Sequence, residues 1–485
     1  MTNRPNIVFM MPDQLRHDFL SCYGASFIET PNIDRLGECG VRYTNAYSEH
    51  PVCVPARAAL LTGMTAVKNG VLNNSSFLRP DHEACGIQTW PQILNASGYH
   101  TVATGKMHFY PWDADFGFKE RIIAEDKLWG FVQDDYHDSL VAAGYSKRSF
   151  VEVDEYHERH QACISPLPWE HNVDHFVGQR SAEWIEGYEE EPPFAMMVGF
   201  PGPHSPYDPS SDYATFDTAT VPEPIAKVEA DVAMMGGKPR SGNRKASGRR
   251  SWYAVDNSEP PDAETHAIQR AYYSGLVAQI DVEVGRIVDA LEAKGILDNT
   301  IILFSSDHGD YLGDHGLSGK GSFYEGSCHV PMLVRYPGKE GGVRDELVTL
   351  SDVTATILSL SGASVPFYMD SQPLPGVSGE NARDMVFGVL SGGWMAFDGR
   401  WKLVKYPRGT QLFDLENDPT EIENRADDPA CAQRLQALDT ALTAEMMREV
   451  QGSTYADRIP EDAHSSSEAF GRRGWARNYP MVWRD

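Results

Sequence analysis

The sequence predicts an α/β fold: a large, mainly parallel sheet sandwiched by helices, followed by a smaller C-terminal subdomain of antiparallel sheet and one packed helix. Three observations predict it. Short apolar runs end abruptly in polar residues, apolar residues recur at helical spacing between them, and beyond about residue 380 the pattern shifts to short strands separated by glycine-bearing turns. Runs that are apolar throughout suit strands buried on both faces, as in parallel sheets covered by helices.

In chain order, Asn6-Ile7-Val8-Phe9-Met10-Met11 ends in Pro12-Asp13-Gln14 and reads as the first strand. Cys53-Val54-Pro55-Ala56-Arg57 opens a helix, because Pro55 suits a first turn, where its missing N–H costs nothing. The run 100–103 ends in Thr104-Gly105-Lys106-Met107-His108, and the run 194–200 ends in Pro201-Gly202-Pro203-His204. Residues 265–294 form a long helical pattern through Leu276, Ile280, Val284, Ile287, Val288 and Leu291. The run 300–304 then ends in Ser305-Ser306-Asp307-His308-Gly309. Ligands of open α/β sheets bind beyond the carboxyl ends of the strands, so four runs delivering Asp, Gln, Lys and His to that edge would line one site.

The C-terminal part reads as strands over 394–397, 401–406 and 411–413, with Asp398-Gly399 as a hairpin signal. A helix over 430–449 follows, carrying Leu435, Leu438, Leu442 and Met446. The Pro- and Gly-rich stretch 365–379 separates an expected catalytic domain, 1–375, from a C-terminal subdomain, 380–485. The aromatic, arginine-bearing tail 451–485 reads either as a surface tail or as an arm around a neighbouring subunit. A homo-oligomer is the expected state. The basic stretch 238–250 reads as a solvated loop, a lid or a subunit contact.

A length of 485 residues allows one or two domains. The net charge of −27 argues against nucleic acid or an anionic membrane as partner. It also demands that any anion site be locally positive. No run approaches the roughly 18 apolar residues of a membrane helix. The first apolar run is too short for a secretion signal, so a cytoplasmic location is expected. Seven scattered cysteines without a C-x-x-C pair argue against a disulfide framework and a structural zinc site.

Cys53 falls at a helix N-terminus, where unpaired N–H groups and the helix dipole favour an anion. Arg57, one turn on, reaches the same mouth. A cysteine at a helix start is also commonly an ordinary small buried residue. Asp13-Gln14 and Asp307-His308, each following a buried strand, together make a divalent-metal site, although an Asp there is as often a helix cap. Asp310, Asp314 and His315 leave a second metal-binding element open. Lys106 and His108 share a face of an extended segment. His204 sits between prolines, and Lys320 follows a Gly-rich stretch. With Cys53 and Arg57 they form the cations and acid/base groups that an oxyanionic transition state requires.

These residues resemble the type I sulfatases of the alkaline phosphatase superfamily. The resemblance is carried by Cys53-x-Pro55-x-Arg57 with Leu60-Leu61-Thr62-Gly63, by Thr30-Pro31-Asn32-Ile33-Asp34, by Gly105-Lys106-x-His108 and by Asp307-His308-Gly309. Gly319-Lys320, Tyr324-Glu325 and Leu412-Phe413-Asp414-Leu415 extend it over most of the chain. It implies an alkaline phosphatase-like fold and hydrolysis of a small aryl or alkyl sulfate. It further implies that a formylglycine-generating enzyme converts Cys53 to formylglycine, whose hydrate attacks sulfur and later expels sulfate, splitting a hard reaction into two easier ones. Asp13, Gln14, Asp307, His308 and the group at 53 would hold one metal, and Arg57 would steady the formylglycine. Lys106, Lys320 and His204 would contact the sulfuryl oxygens or leaving group. His108 would assist deprotonation as the intermediate collapses, and Asn74, with Asn73 as an alternative, would contact an oxygen.

Two departures matter. Gln14 and His308 stand where many sulfatases have Asp and Asn, a pairing that resembles the choline-sulfatase and phosphonate monoester hydrolase branches. Lys106-x-His108 resembles sulfatases and departs from the phosphonate branch. The nitrogen ligand fits Mn²⁺ better than Ca²⁺, and both stay open. Three readings follow: a sulfatase, a phosphonate monoester or phosphodiester hydrolase with the same nucleophile and metal, and a non-catalytic anion-binding homologue with unmodified Cys53. Trp112, Trp129, Tyr207 and Tyr324 are candidate walls for the alcohol, with simple packing as the alternative.

Overall fold

The computed structural model describes residues 4–235, 255, 261–339, 341–380, 382–390 and 392–452. The basic stretch 238–250 and nearly all of the tail lie outside them.

Eight strands form the large sheet: β1 (Asn6–Met10), β2 (Val41–Tyr47), β3 (His100–Gly105), β4 (Glu120–Ile123), β5 (Phe194–Gly199), β6 (Thr300–Ser305), β7 (Met332–Arg335) and β8 (Gly342–Thr349). Their order is β4-β3-β5-β1-β6-β7-β2-β8. Only β7 runs against its neighbours, so the sheet is mainly parallel, as the apolar runs predict. All residues of β1, β3, β5 and β6 are buried. β1 lies at the centre, parallel to both β5 and β6.

Strand alternation divides β1 between two cores. Val8 and Met10 face the helices Val173–Gly187 and Ala263–Ala293 through Val177, Ile280, Val284 and Ile287. Ile7 and Phe9 face the helices Cys53–Thr62 and Asp352–Ser361 through Val54, Leu60, Val353 and Ile357. Helices therefore cover both sides of the sheet. None of the described helices is long and apolar enough to cross a membrane.

The second sheet is antiparallel, in the order β12-β11-β10-β9, from β9 (Val386–Leu390), β10 (Gly393–Phe397), β11 (Trp401–Tyr406) and β12 (Gly409–Asp414). One face carries Leu438 and Leu442 of the helix Ala432–Gly452. The other packs Met395, Phe397 and Val404 against Tyr47, Phe323 and Leu347 of the first unit. Within that contact the buried Lys402 donates to the Phe323 carbonyl at 2.9 Å and to Glu421 Oε1 at 2.8 Å, and pairs with Glu325. The joint 365–379 is packed as well: Leu374 is buried, and Asp370 N–H donates to the Gly63 carbonyl at 2.8 Å. Sequence reading missed β9, whose Gly388 breaks the apolar pattern because Phe323 and the Glu49 carbonyl leave no space for a side chain.

The carboxyl ends of β3 and β5 meet at Gly105, with φ +83°, where a Cβ would lie 2.1 Å from the Gly199 carbonyl oxygen. Gly105→Ala should destabilise the protein by about 3 kcal/mol or more, since positive φ and a backbone clash both oppose the side chain. Urea unfolding checks this, and a loss below about 1 kcal/mol would show that the two strand ends can separate freely.

Candidate active site

Parallel strands place their carboxyl ends side by side, and every strand-end residue singled out in the sequence arrives at one edge. β1 leads to Asp13 and Gln14, β3 to Lys106 and His108, β5 to His204, and β6 to Asp307 and His308. The helix Cys53–Thr62 starts at this edge, with Cys53 its first residue and Val52 the extended residue before it. Asn74 Oδ1 accepts the Val54 N–H at 3.0 Å beside Cys53, whereas Asn73 accepts Ser75 N–H.

Asp13, Cys53, Asp307 and His308 bring one ligand atom each to within 4.8 Å of the others, all buried. His308 Nε2 is 3.1 Å from Cys53 Sγ, and Sγ is 3.9 Å from Asp13 Oδ1. His308 Nδ1 lies 2.9 Å from the Gly309 carbonyl, which can only accept. Nδ1 therefore carries a hydrogen, and Nε2 is the ring nitrogen that faces the cluster, the orientation in which metal-ligating histidines are held. Asp307 Oδ1 accepts the Gln14 N–H and the His308 N–H, both at 3.0 Å. Two carboxylates and an imidazole in one buried pocket fit a divalent cation.

Arg57 spans the cluster from below. Its Nε donates to Asp307 and its Nη2 to Asp13, each at 2.9 Å, while Nη1 holds the Lys106 carbonyl at 2.7 Å. Lys106 Nζ pairs with Asp13 at 2.8 Å and with Asp126 at 2.6 Å. Lys320 donates to Gln14 Oε1, and the Gln14 amide donates to Asp310, which also accepts Tyr207 OH at 2.7 Å. His204 Nδ1 lies 2.7 Å from the Ser205 carbonyl. His108 is buried with φ +59°; its Nδ1 has no hydrogen-bond partner among the described residues, and the Trp129 ring stands edge-on at 4.6 Å.

Burial opposes every charge here, and the partners decide which charges survive. Asp13 lies well below the usual carboxylate range because Lys106, His204 and Arg57 outweigh burial and the neighbouring Cys53. Asp307 is pushed up, by burial first and then by Asp13. Burial would raise the Cys53 thiol, yet Lys320, His308 and Lys106 bring it well below its ordinary value. Like-charged Asp13 and Asp307 at one point are the arrangement a divalent cation relieves.

The other candidates have different work. Asp314 pairs with Arg16 at 2.6 Å and with Arg270, and His315 stacks on Tyr324, so neither joins the cluster. Tyr324 packs with Tyr311, Leu317 and Phe413, and Trp112 gives its carbonyl to Arg121. Sequence reading missed Asp126 and Glu125, whose carboxylate accepts the backbone N–H groups of Met107 and His108.

The sulfatase family profile matches residues 5–363. The chain belongs to the sulfatase family. As a member of it the protein is a sulfuric ester hydrolase, and the family in general carries a metal and formylglycine. Over 503 residues it is 30% identical to an arylsulfatase of Clostridium perfringens, with 94% of this chain and 97% of that protein covered. It is 28% identical to a choline-sulfatase of Rhizobium meliloti, over 88% of this chain and 83% of the relative. Its fold matches a phosphonate monoester hydrolase of Agrobacterium radiobacter with a TM-score of 0.77 at 24% identity, covering 92% and 96% of the two chains.

Behind His204, Asp174 accepts the Gly202 N–H on Oδ1 at 2.8 Å, while its buried Oδ2 has no partner among the described residues. Burial, opposed by Lys127, raises this carboxyl to about 6 from 3.8. The contribution of a raised acid is fully present below the unfolded value and is lost as pH rises through 6. Relative to the parent, Asp174→Asn should therefore gain up to about 3 kcal/mol between pH 4 and pH 8. Urea unfolding across that range tests this, and a pH-independent difference would refute it.

Proposed function

We propose that the protein hydrolyses a small aryl or alkyl sulfate monoester to an alcohol and sulfate. The observation that carries this reading is the meeting of Cys53 with Asp13, Asp307 and His308 at the head of one buried helix. Asp13, Gln14, Asp307, His308 and the group at 53 would hold one divalent cation, Mn²⁺ or Ca²⁺, which supplies positive charge opposite the developing oxyanion. After conversion by a formylglycine-generating enzyme, residue 53 supplies an aldehyde hydrate as nucleophile.

The chain's own residues do the rest. Lys106, Lys320 and His204 bind the sulfuryl oxygens, placed by the ends of β3 and β5 and by the loop before residue 321. His108 moves the proton at residue 53, and Asn74 offers its amide N–H groups to an oxygen. Arg57 keeps the two carboxylates facing the metal position. Its charge and that of Lys106 are offset by Asp13, Asp307 and Asp126, so the positive excess an anion needs comes from Lys320 and the cation.

Two features support the wider assignments. The separate apolar clusters around the two sheets support a division into 1–375 and 380–485. Six free cysteines among the described residues support a reducing, cytoplasmic location.

Gln14 and His308 favour a second reading, a phosphonate monoester or phosphodiester hydrolase on the same site. Matched aryl sulfate, phenylphosphonate and phosphodiester substrates separate the two, and the sulfate should turn over fastest. A sulfate rate far below the others would replace the first reading with the second. Mass spectrometry of the peptide containing Cys53 should show the thiol replaced by an aldehyde, and Cys53→Ala should lower kcat at least ~1,000-fold. Intact thiol from a host with the converting enzyme, together with inactivity, would favour the anion-binding homologue. Chelation should abolish turnover and lower Tm, with Mn²⁺ or Ca²⁺ restoring both. A chelated protein of unchanged Tm and activity would remove the metal from the proposal.

A further inference from the structure

Three consecutive charged residues, Glu125-Asp126-Lys127, follow the edge strand β4; the first two reach the segment 106–108 and the third reaches the loop that carries His204. The Glu125 carboxylate accepts the His108 N–H at 3.0 Å and the Met107 N–H at 3.3 Å. Asp126 holds Lys106 Nζ at 2.6 Å. Lys127 Nζ donates to the Pro206 carbonyl at 2.8 Å and to Asp208 at 2.6 Å, gripping the loop that carries His204. Glu125 is fully buried and Asp126 is 4% exposed, so these are not solvated surface charges. The segment is itself anchored: Asp134 accepts the Glu125 N–H at 2.8 Å, and the Leu128 N–H returns to Asp126 at 2.8 Å.

We propose that Glu125-Asp126-Lys127 is a positioning strap that sets Lys106, His108 and the His204 loop in register with residue 53. The inference rests on the reading that those three residues act on the ester. Its physical content differs at each position. His108 has φ +59°, a conformation strained for a non-glycine residue, and charge-assisted hydrogen bonds from two successive N–H groups to one carboxylate hold it there. Lys106 has three N–H donors; Asp13 and Asp126 take two, leaving one fixed in direction for a substrate oxygen. Lys127 ties down the segment just after His204, whose ring would otherwise follow the movement of its loop.

A double-mutant cycle separates positioning from general structural support. Glu125→Ala should lower kcat by ~30-fold with KM changed less than ~3-fold, and Glu125→Gln, which keeps an acceptor oxygen, should recover most of the loss. In a His108→Ala background Glu125→Ala should cost less than ~2-fold, and Asp126→Asn should likewise be nearly silent in Lys106→Met. Losses that multiply in the double variants, or a Glu125→Gln as damaged as Glu125→Ala, would overturn the strap. Should Glu125→Ala fail to fold, Asp126→Asn in the parent and in Lys106→Met carries the cycle. A crystal structure of Glu125→Ala, or of Glu125→Gln if Glu125→Ala does not fold, gives a readout independent of turnover. Glu125→Ala should release residue 108 to negative φ and move its ring from residue 53, while Glu125→Gln should hold it. An unmoved His108 in Glu125→Ala, or a displaced one in Glu125→Gln, overturns the proposal. A parent that turns over no ester would instead defeat the proposed function, with the crystal structure still deciding the strap.

Discussion

The site depends on the fork of Arg57 between Asp13 and Asp307. Two carboxylates on adjacent parallel strands, buried at one point, repel each other and are costly to desolvate. The guanidinium offers one N–H to each and a third to the Lys106 carbonyl, so one side chain ties the ends of β1, β3 and β6 to the helix that begins with Cys53. Arginine suits this place because its charge persists on burial and its donors diverge in a plane. The bond to the Lys106 carbonyl fixes that residue's backbone, while its ammonium bridges Asp13 and Asp126. Arg57 and Lys106 are thus set around Asp13 by one set of hydrogen bonds.

The acidic chain and the anionic substrate are reconciled locally. The chain as a whole carries a net charge of −27, but at the edge where the parallel strands end carboxylates and cations alternate within hydrogen-bond distance. Each charge there is committed to a partner, which limits the long-range field it projects. Recognition of an anion then depends on contacts made inside the pocket, and little on attraction from a distance.

The central strands and the strand-end residues were legible in the sequence because strands buried on both faces must be apolar throughout, and whatever follows them must turn polar. Asp13, Lys106, His204 and Asp307 stand out for that reason. The edge strands carry no such signal. β8 holds Arg344, Asp345 and Glu346 because one of its sides lacks a neighbouring strand, and β4 begins with Glu120 and Arg121. Glu125-Asp126-Lys127 looks like a solvated charge run in the sequence, and only burial and partners reveal otherwise. The direction of Arg57 was equally hidden, since spacing along a helix says which residues share a mouth but not which groups from other strands await them.

The contact between the two sheets bears on how the chain comes to life. Lys402, from the middle of the second sheet, grips the Phe323 carbonyl and Glu325 a few residues beyond Lys320. A nascent polypeptide emerging from the ribosome can complete the first sheet before residue 402 appears, yet the bonds of Lys402 to Phe323 and Glu325 are still missing at that stage. Premature termination before residue 386 would remove the second sheet and leave Tyr47, Phe323 and Leu347 without the side chains that cover them, an apolar patch prone to aggregation.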